Sequence, residues 1–391
     1  MKKLFIYLTI LLTAFGCKEK YVSPVVSPTT GYLVVEGMIN AGGGQTQIIL
    51  TRTSTLDNPV VIYEKGAKIS VLGDDNSTVS LNESSAGIYL SAPTVVLNNK
   101  VKYKIAIQTA DGKTYQSDFS TVQATPTIDS VYWKRENNGV QFYVNTHDLA
   151  NATQYYEWDF TETWEYHSPL MQYFQYYQSG TRYPNIPYYQ LKYIDPVFLT
   201  FNMALYKCYT TQESSTIILS STTNLTQNKI NHPLNYIPAG SVKIGEVYSV
   251  LTRQYGISEN KYRYLEKMKK NTESTGSIFD AQPSELVGNV HSTSNPSEIV
   301  IGFVDASMVQ SKRSFIKNTE LKDWNYASPC VISEIKNSED SITKVHNSLL
   351  PGTAAKYSPF GGILSYYFAT PECVDCRILH GTNVKPSYWP N

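Results

Sequence analysis

From Tyr32 onward, apolar and polar residues alternate in short runs, at 33–39, 46–51, 67–72, 87–90, 101–107 and 114–117. A period of two puts successive side chains on opposite faces, so each run predicts a strand with one buried face. Turn chemistry separates the runs at Gly73-Asp74-Asp75-Asn76 and at Asp111-Gly112. Short strands at this spacing predict an immunoglobulin- or transthyretin-like β-sandwich over residues 31–125.

Thr125-Pro126 closes that module, and Ile128-Asp129-Ser130-Val131 opens a larger β-rich domain over 126–391. Runs at 140–146 and 153–160 alternate like paired strands, with Trp158 placed to enter a core. Past Phe160 the period fails. Residues 161–200 carry four prolines and a crowd of aromatics, which predicts an irregular insertion. Strand patterns return at 216–219, 245–251, 298–304 and 313–316. One helix is expected near 258–272, where Ser258 suits the N-cap, Glu259 suits the positive end of the dipole, and Tyr262, Leu265 and Met268 share one face. The chain is therefore expected to be mainly β.

The N-terminus departs from this pattern. Lys2 and Lys3 precede an apolar run from Leu4 to Phe15, followed by Gly16-Cys17 and the polar Lys18-Glu19-Lys20. The run is shorter than the ~20 residues a membrane-spanning helix needs, so residues 1–17 are expected to be a signal peptide. A small residue directly before cysteine is the pattern of bacterial lipoprotein processing, which makes Cys17 the lipidation site. Residues 18–30, with two prolines, are expected to tether lipid to fold. Loss of the two signal lysines leaves 31 basic against 33 acidic residues, a balance that disfavours a nucleic-acid binder, which would show a basic surplus or stripe. The membrane attachment expected is the N-terminal lipid. The 31 tyrosines, against 13 Phe and 5 Trp, favour an exported β-rich binding protein, since tyrosine is enriched in strands and at binding surfaces.

Several phrases coincide along the chain: the lipoprotein signal, Pro126-Thr-Ile128-Asp129-Ser130-Val131, and Gly276-Ser-Ile278-Phe279-Asp280-Ala-Gln-Pro283 with Gly288-Asn289-Val290. Ile301-Gly302-Phe303 follows, and the end carries Cys373-Val-Asp375-Cys376-Arg377 and Lys385-Pro386-Ser-Tyr388-Trp389. In this order they resemble the domain-of-unknown-function 4249 family of Bacteroidota outer-membrane lipoproteins. The resemblance implies an outer-membrane location and the company of a TonB-dependent transporter. It implies no catalytic residues. A single acidic residue in Lys18-Glu19-Lys20, where surface-export signals tend to be acid-rich, leaves the membrane face open.

Cys208, Cys330, Cys373 and Cys376 remain besides Cys17, and in an oxidising envelope they are expected to form disulfides. Of the three pairings, Cys208 with Cys330 and Cys373 with Cys376 is preferred, because the close pair can bridge locally. A thiol-redox site at Cys373-x-x-Cys376 or a zinc site recruiting His380 are the alternatives. The loop-like surroundings disfavour the first, and three ligands where zinc takes four disfavour the second. No metal or cofactor is expected.

Between residues 155 and 198, fifteen of forty-four positions are aromatic, far above the 13% of the whole chain. Those at 155–160 fit a strand and a core. Beyond them, Trp164, Tyr166, Tyr173, Phe174, Tyr176, Tyr177, Tyr188 and Tyr189 are the candidates for an interface or a ligand platform, with Tyr183 and Phe198 in the same crowd. No nucleophile elbow, zinc-protease helix, phosphate loop or dinucleotide fingerprint occurs, and the six histidines are scattered without metal spacing. Asp159, Glu162 and Glu165 are a possible acid/base cluster only if the fold brings them together. The leading expectation is a non-enzymatic accessory of a TonB-dependent transporter. A stand-alone glycan-binding or adhesive module, with Trp164, Tyr176 and Tyr177 facing one groove, is the first alternative, and an envelope thiol oxidoreductase the second.

Overall fold

The structure, a computed structural model, describes residues 31–54, 60–182, 185–194, 205–273, 286–379 and 381–390. The signal peptide, Cys17, the tether, Tyr183, Phe198, the 276–283 phrase and His380 lie outside the described residues. Twenty-five strands and two α-helices, α1 (Glu259–Glu273) and α2 (Glu339–Val345), make the described chain mainly β.

The first module is built from the predicted amphipathic strands. In Lys68–Gly73 and Lys102–Gln108, Ile69, Val71, Tyr103, Ile105 and Ile107 point inward and their neighbours outward. The module is β as expected, and in place of the two separate sheets of a sandwich its strands join in one. They run in the order Lys102–Gln108, Lys68–Gly73, Thr78–Ser85, Ile88–Leu90, Gln47–Arg52, Leu33–Asn40, Asp305–Ser307, Ser120–Gln123, and the last pairs back with the first. The sheet is closed and barrel-like, so the strands of its closed path have no free edge. Closure needs residues from outside the expected 31–125 module: Asp305–Ser307 joins Leu33–Asn40 to Ser120–Gln123 through parallel pairings. Val290–Ser292 and Val300–Gly302 add to the same sheet.

The second module packs a three-stranded sheet (Ile128–Glu136, Gly139–His147, Lys229–Pro238) against a five-stranded one (Lys207–Glu213, Tyr155–His167, Val247–Gly256, Gln310–Lys317, with Ile218–Ser221 also on Tyr155–His167). Trp158 sits in the core between them, and its indole N–H donates to Gln254 Oε1 at 2.9 Å. Helix α1 lies at the junction of the two modules. Its N-terminus is capped by Ser258 Oγ, which accepts from the Lys261 N–H at 3.2 Å, and Tyr264 and Leu265 pack with Met38 and Ile257.

The expected irregularity past Phe160 gives way to regular structure. The strand from Tyr155 continues to His167, and a hairpin of Phe174–Arg182 and Ile186–Tyr193 follows. This hairpin does not fold on its own aromatics. Phe174 packs with Tyr366, Phe368 and Ile342, so the hairpin, α2 and a C-terminal sheet of Ser333–Lys336, Ile363–Ala369 and Leu350–Tyr357 share one core. They form a distal lobe assembled from two distant stretches of chain.

The bridges are Cys208–Cys376 and Cys330–Cys373, which corrects the preferred pairing. Cys373 and Cys376 lie on consecutive 3₁₀ turns, Pro371–Cys373 and Cys376–Ile378. These aim one sulfur at the cluster of Leu170 and Val374 and the other at the cluster of Tyr166. The bridges close sequence separations of 168 and 43 residues. Chain entropy assigns them about 5 and about 4 kcal/mol respectively. Peptide mapping without reduction is expected to recover both pairs, and a Cys373–Cys376 peptide would refute them. In denaturant, Cys208→Ala with Cys376→Ala should lower the unfolding midpoint more than Cys330→Ala with Cys373→Ala.

Candidate functional site

The thirteen residues of Tyr155–His167 organise the chemistry, because both faces of this strand are covered. Alternation puts Tyr156, Trp158, Phe160 and Trp164 into the core between the sheets and leaves Glu157, Asp159, Thr161, Thr163 and Glu165 on the opposite face. The three candidate carboxylates are therefore not one acid/base site. Glu162 faces the core, where it takes Lys243 Nζ at 2.6 Å, the Tyr248 hydroxyl at 2.7 Å and Asn235 Nδ2 at 2.6 Å. Burial, and then Glu162, push the Tyr248 hydroxyl well above its ordinary value.

On the other face each acid has its own cation. Asp159 pairs with Arg253 and accepts from the Tyr255 hydroxyl at 2.8 Å. Burial raises its carboxyl despite that pairing. Six residues further along, Glu165 accepts from Lys207 Nζ at 2.6 Å, His167 Nε2 at 2.8 Å and the Trp389 indole N–H at 2.9 Å. Burial pushes Glu165 upward, but these bonds outweigh it and hold the carboxyl at about 2. The terminal Pro-x-aromatic-Trp phrase thereby acquires a structural role. Trp389 is clamped by Glu165, the Tyr388 hydroxyl meets Thr163 Oγ1 at 3.0 Å, and Arg313 lies over the Tyr388 ring at 3.6 Å. With the Cys208–Cys376 bridge and the Tyr209–Thr382 backbone bridge, the C-terminal segment straps the edge of the five-stranded sheet.

Where Tyr155–His167 ends, an open groove of about 620 Å³ begins, lined by Pro169, Leu170, Met171, Tyr173, Tyr206, Ile332, Thr353 and Tyr367. Its base is held firmly. The Ser168 N–H donates to Tyr206 O at 2.8 Å, the Leu170 N–H to Cys373 O at 3.3 Å, and the Tyr173 N–H to Gly352 O at 3.0 Å. Leu170 lies so close to Gly352 that a Cβ there would fall 2.2 Å from Leu170 Cγ. The Cys330–Cys373 bridge belongs to the same cluster. The walls are apolar apart from the tyrosine hydroxyls and Thr353, so the groove suits apolar side chains or the face of a ring and offers no charged group to a reacting centre.

Most of the aromatic candidates are structural. Trp164 is buried beneath Lys243, whose Nζ lies 5.1 Å from its ring; Tyr166 is buried against the Cys208–Cys376 bridge; Phe174 is buried in the lobe core. Tyr176 donates to Leu349 O at 2.7 Å, and Tyr189 stacks on His346 at 3.5 Å. Tyr177 is exposed, with its hydroxyl on Gln190, and Tyr188 lies beneath Arg182. Of the eight, Tyr173 alone lines the groove. Trp164, Tyr176 and Tyr177 therefore do not share the common platform expected of them. Leu170, Met171, Tyr206, Ile332, Thr353 and Tyr367 were not among the candidates, although the Ile363–Ala369 run carries a strand-like composition. Both sulfurs of Cys373-x-x-Cys376 are engaged with other partners, and among the described residues no group of three His, Cys, Asp or Glu is placed to hold a metal ion.

A family model described as Domain of unknown function (DUF4249) matches residues 19–313. None of the curated proteins matches the chain. Among solved structures, a DUF4785 family protein from Legionella pneumophila is 14% identical with a TM-score of 0.17, over 52% of this chain and 55% of that one. The chain thus spans about half the length of that protein, and at this TM-score the likeness carries no argument.

The clamp at Glu165 makes a pH prediction. Its folded value of about 2 lies below the usual 4.5, so its stabilisation is complete above pH 4.5 and is lost as pH falls toward 2. Glu165→Gln should be less stable at neutral pH by about 2 kcal/mol, the scale of a hydrogen bond to a charged group. It should also lose less stability than the wild type between pH 4.5 and 2. Equal acid slopes for the two proteins in urea unfolding would remove the clamp.

Proposed function

The chain belongs to the family described as a domain of unknown function, DUF4249, and from that premise we propose a non-enzymatic, lipid-anchored accessory of a TonB-dependent outer-membrane transporter, serving substrate capture or admission. The observation that carries this reading is the placement of the groove. Lipid on Cys17 and the tether of residues 18–30 deliver the chain to Gly31 in the first module. The groove opens past His167, at the far end of a strand that spans roughly 40 Å. The attachment end and the binding end are thereby separated. Ile332 and Tyr367 of the groove's lining are exposed, and the same lobe also exposes Tyr357, Phe360 and Leu364, apolar and tyrosine side chains of the kind that protein interfaces use.

A glycan-binding or adhesive lipoprotein is the second reading. Tyr173, Tyr206 and Tyr367 favour it, because rings lining one groove can stack on sugar faces. The thiol-oxidoreductase reading finds no support in the geometry, since the two sulfurs that would cycle are joined to Cys330 and Cys208.

The test is extraction of outer membranes in mild detergent from the native host, with the chain tagged at its C-terminus, and identification of whatever co-purifies stoichiometrically. One TonB-dependent barrel is expected. Ile332→Asp with Tyr367→Asp should reduce its recovery at least tenfold while leaving the level of the lipoprotein unchanged. Recovery of the wild-type chain alone would overturn the accessory reading and make a glycan screen the next step.

A further inference from the structure

In the first module, four consecutive apolar residues stand in the open. Val60, Val61, Ile62 and Tyr63 are 54%, 63%, 48% and 43% exposed. A strand lying on a core buries every second residue, but here both alternating sets are outside, so the run contributes little to the module's own core. Among the described residues Ile62–Tyr63 pairs with Gln47–Arg52 alone, Arg52 opposite Ile62 and Thr51 opposite Tyr63.

The ridge is nonetheless held in place. The Glu64 N–H donates to Leu50 O at 3.0 Å, and Arg52 Nε pairs with Glu64 Oε2 at 2.7 Å. Glu83 accepts from the N–H groups of Gly66 and Gly87, both at 2.9 Å. Tyr63 lies against Gly87, where a Cβ would fall 2.9 Å from Tyr63 Cδ1, and Gly87 has φ of +69°, so a glycine is required there on both counts.

Its position relative to the chain's entry is equally defined. The Tyr32 N–H donates to Thr53 Oγ1 at 2.9 Å, the Thr53 N–H to Tyr32 O at 3.0 Å, and Arg52 Nη1 reaches Gly31 O at 3.5 Å. Ile62 is one strand spacing from Arg52, about 4.8 Å. Residues 18–30, whatever their path, hold Gly31 within about 45 Å of Cys17. The ridge therefore lies beside the point where the anchor delivers the chain. Lys65 and Lys68, both exposed, follow it directly and complement an anionic headgroup layer.

We propose that Val60–Val61–Ile62–Tyr63 is a lipid-contact ridge that seats the first module on the surface of the bilayer carrying the anchor. This rests on the lipid-anchor reading of Cys17. Aliphatic side chains enter the acyl boundary, the tyrosine sits at headgroup level, and the two lysines face the phosphates, which is the division of labour found in interfacial segments. A single contact of this kind is weak, but with an anchor already in place it binds at high effective concentration and fixes the module's orientation.

The test replaces the lipid with a tether of known chemistry. The chain from residue 18, carrying an N-terminal histidine tag, is captured on vesicles of phosphatidylethanolamine and phosphatidylglycerol containing a nickel-chelating lipid. An environment-sensitive fluorophore is placed by Ile62→Cys or, as control, by Phe360→Cys, whose residue is 99% exposed in the distal lobe. On capture, the label at 62 is expected to shift to the blue and become several-fold less accessible to an aqueous quencher, while the label at 360 stays unchanged. Val61→Asp with Tyr63→Asp should abolish the shift at 62. Equal quenching at 62 and 360 on the vesicles would overturn the proposal and return the ridge to a protein partner. Because the tag stands in for the lipid, mass spectrometry of the native N-terminus tests acylation of Cys17 separately, so failure of the anchor and failure of the ridge are distinct results.

Discussion

The molecule depends on a strand that cannot leave a charge unpaired. Tyr155–His167 is covered on both faces over most of its length, by the three-stranded sheet on one side and by α1 and the C-terminal strap on the other. A carboxylate buried this way is tolerated only when cations and donors replace its water. Glu157 pairs with Lys261 of α1 at 3.1 Å, Asp159 with Arg253, Glu162 with Lys243, and Glu165 with Lys207. Each partner sits on a different structural element. The charges of one strand thus specify which later segments must pack on it, and where along it they must do so.

That requirement connects the ends of the molecule. Near Tyr155 the strand meets the junction with the first module, where Thr125 Oγ1 accepts from the Gly256 N–H at 2.8 Å and Asp305 accepts from the Ser258 N–H at 2.8 Å. Near His167 it hands the chain to the distal lobe, and Trp389 closes over Glu165. The disulfides reinforce the same end. Cys208–Cys376 holds the strap to the neighbouring strand, and Cys330–Cys373 holds the floor of the groove. The base of the groove is cross-linked, although its walls come from loops and edge strands.

The legible parts of the sequence were those with one wet face. Ile69 and Val71, or Tyr103, Ile105 and Ile107, alternate with polar residues because their strands border solvent, and the helix announced itself through Ser258 and the spacing of Tyr262, Leu265 and Met268. Past Phe160 alternation vanished for the opposite reason: from Phe160 to Tyr166 every residue is buried, so polarity no longer reports which way a side chain points. Pro184 and Pro187 disguised the hairpin, although an exposed two-stranded ribbon tolerates proline. Closure of the first sheet by Asp305–Ser307 was illegible because it pairs residues more than 180 positions apart in the chain, beyond anything a local period encodes. The groove residues share that fate, and the disulfide pairing does not follow proximity in sequence because the two adjacent turns aim Cys373 and Cys376 in opposite directions.

What distinguishes the two exposed apolar surfaces is how each is built. The ridge at Val60–Tyr63, of which Ile62–Tyr63 is a short strand, is fixed by one ion pair and one glycine, beside the chain's point of entry. The lobe surface is assembled from segments near residues 170, 206, 332 and 367, tied by a disulfide and by backbone hydrogen bonds across those segments. A surface for a fluid, non-specific layer needs only apolar area and a location, because lipid conforms to it. A surface for a structured partner needs its shape fixed before the partner arrives, since ordering loops on contact subtracts from affinity. The cost of two buried and two half-buried carboxylate pairs and of two long-range bridges is concentrated at the lobe end of the chain and in the strand that leads to it. That is the distribution expected if the lobe recognises something with a definite shape and the first module has only to stay near the membrane.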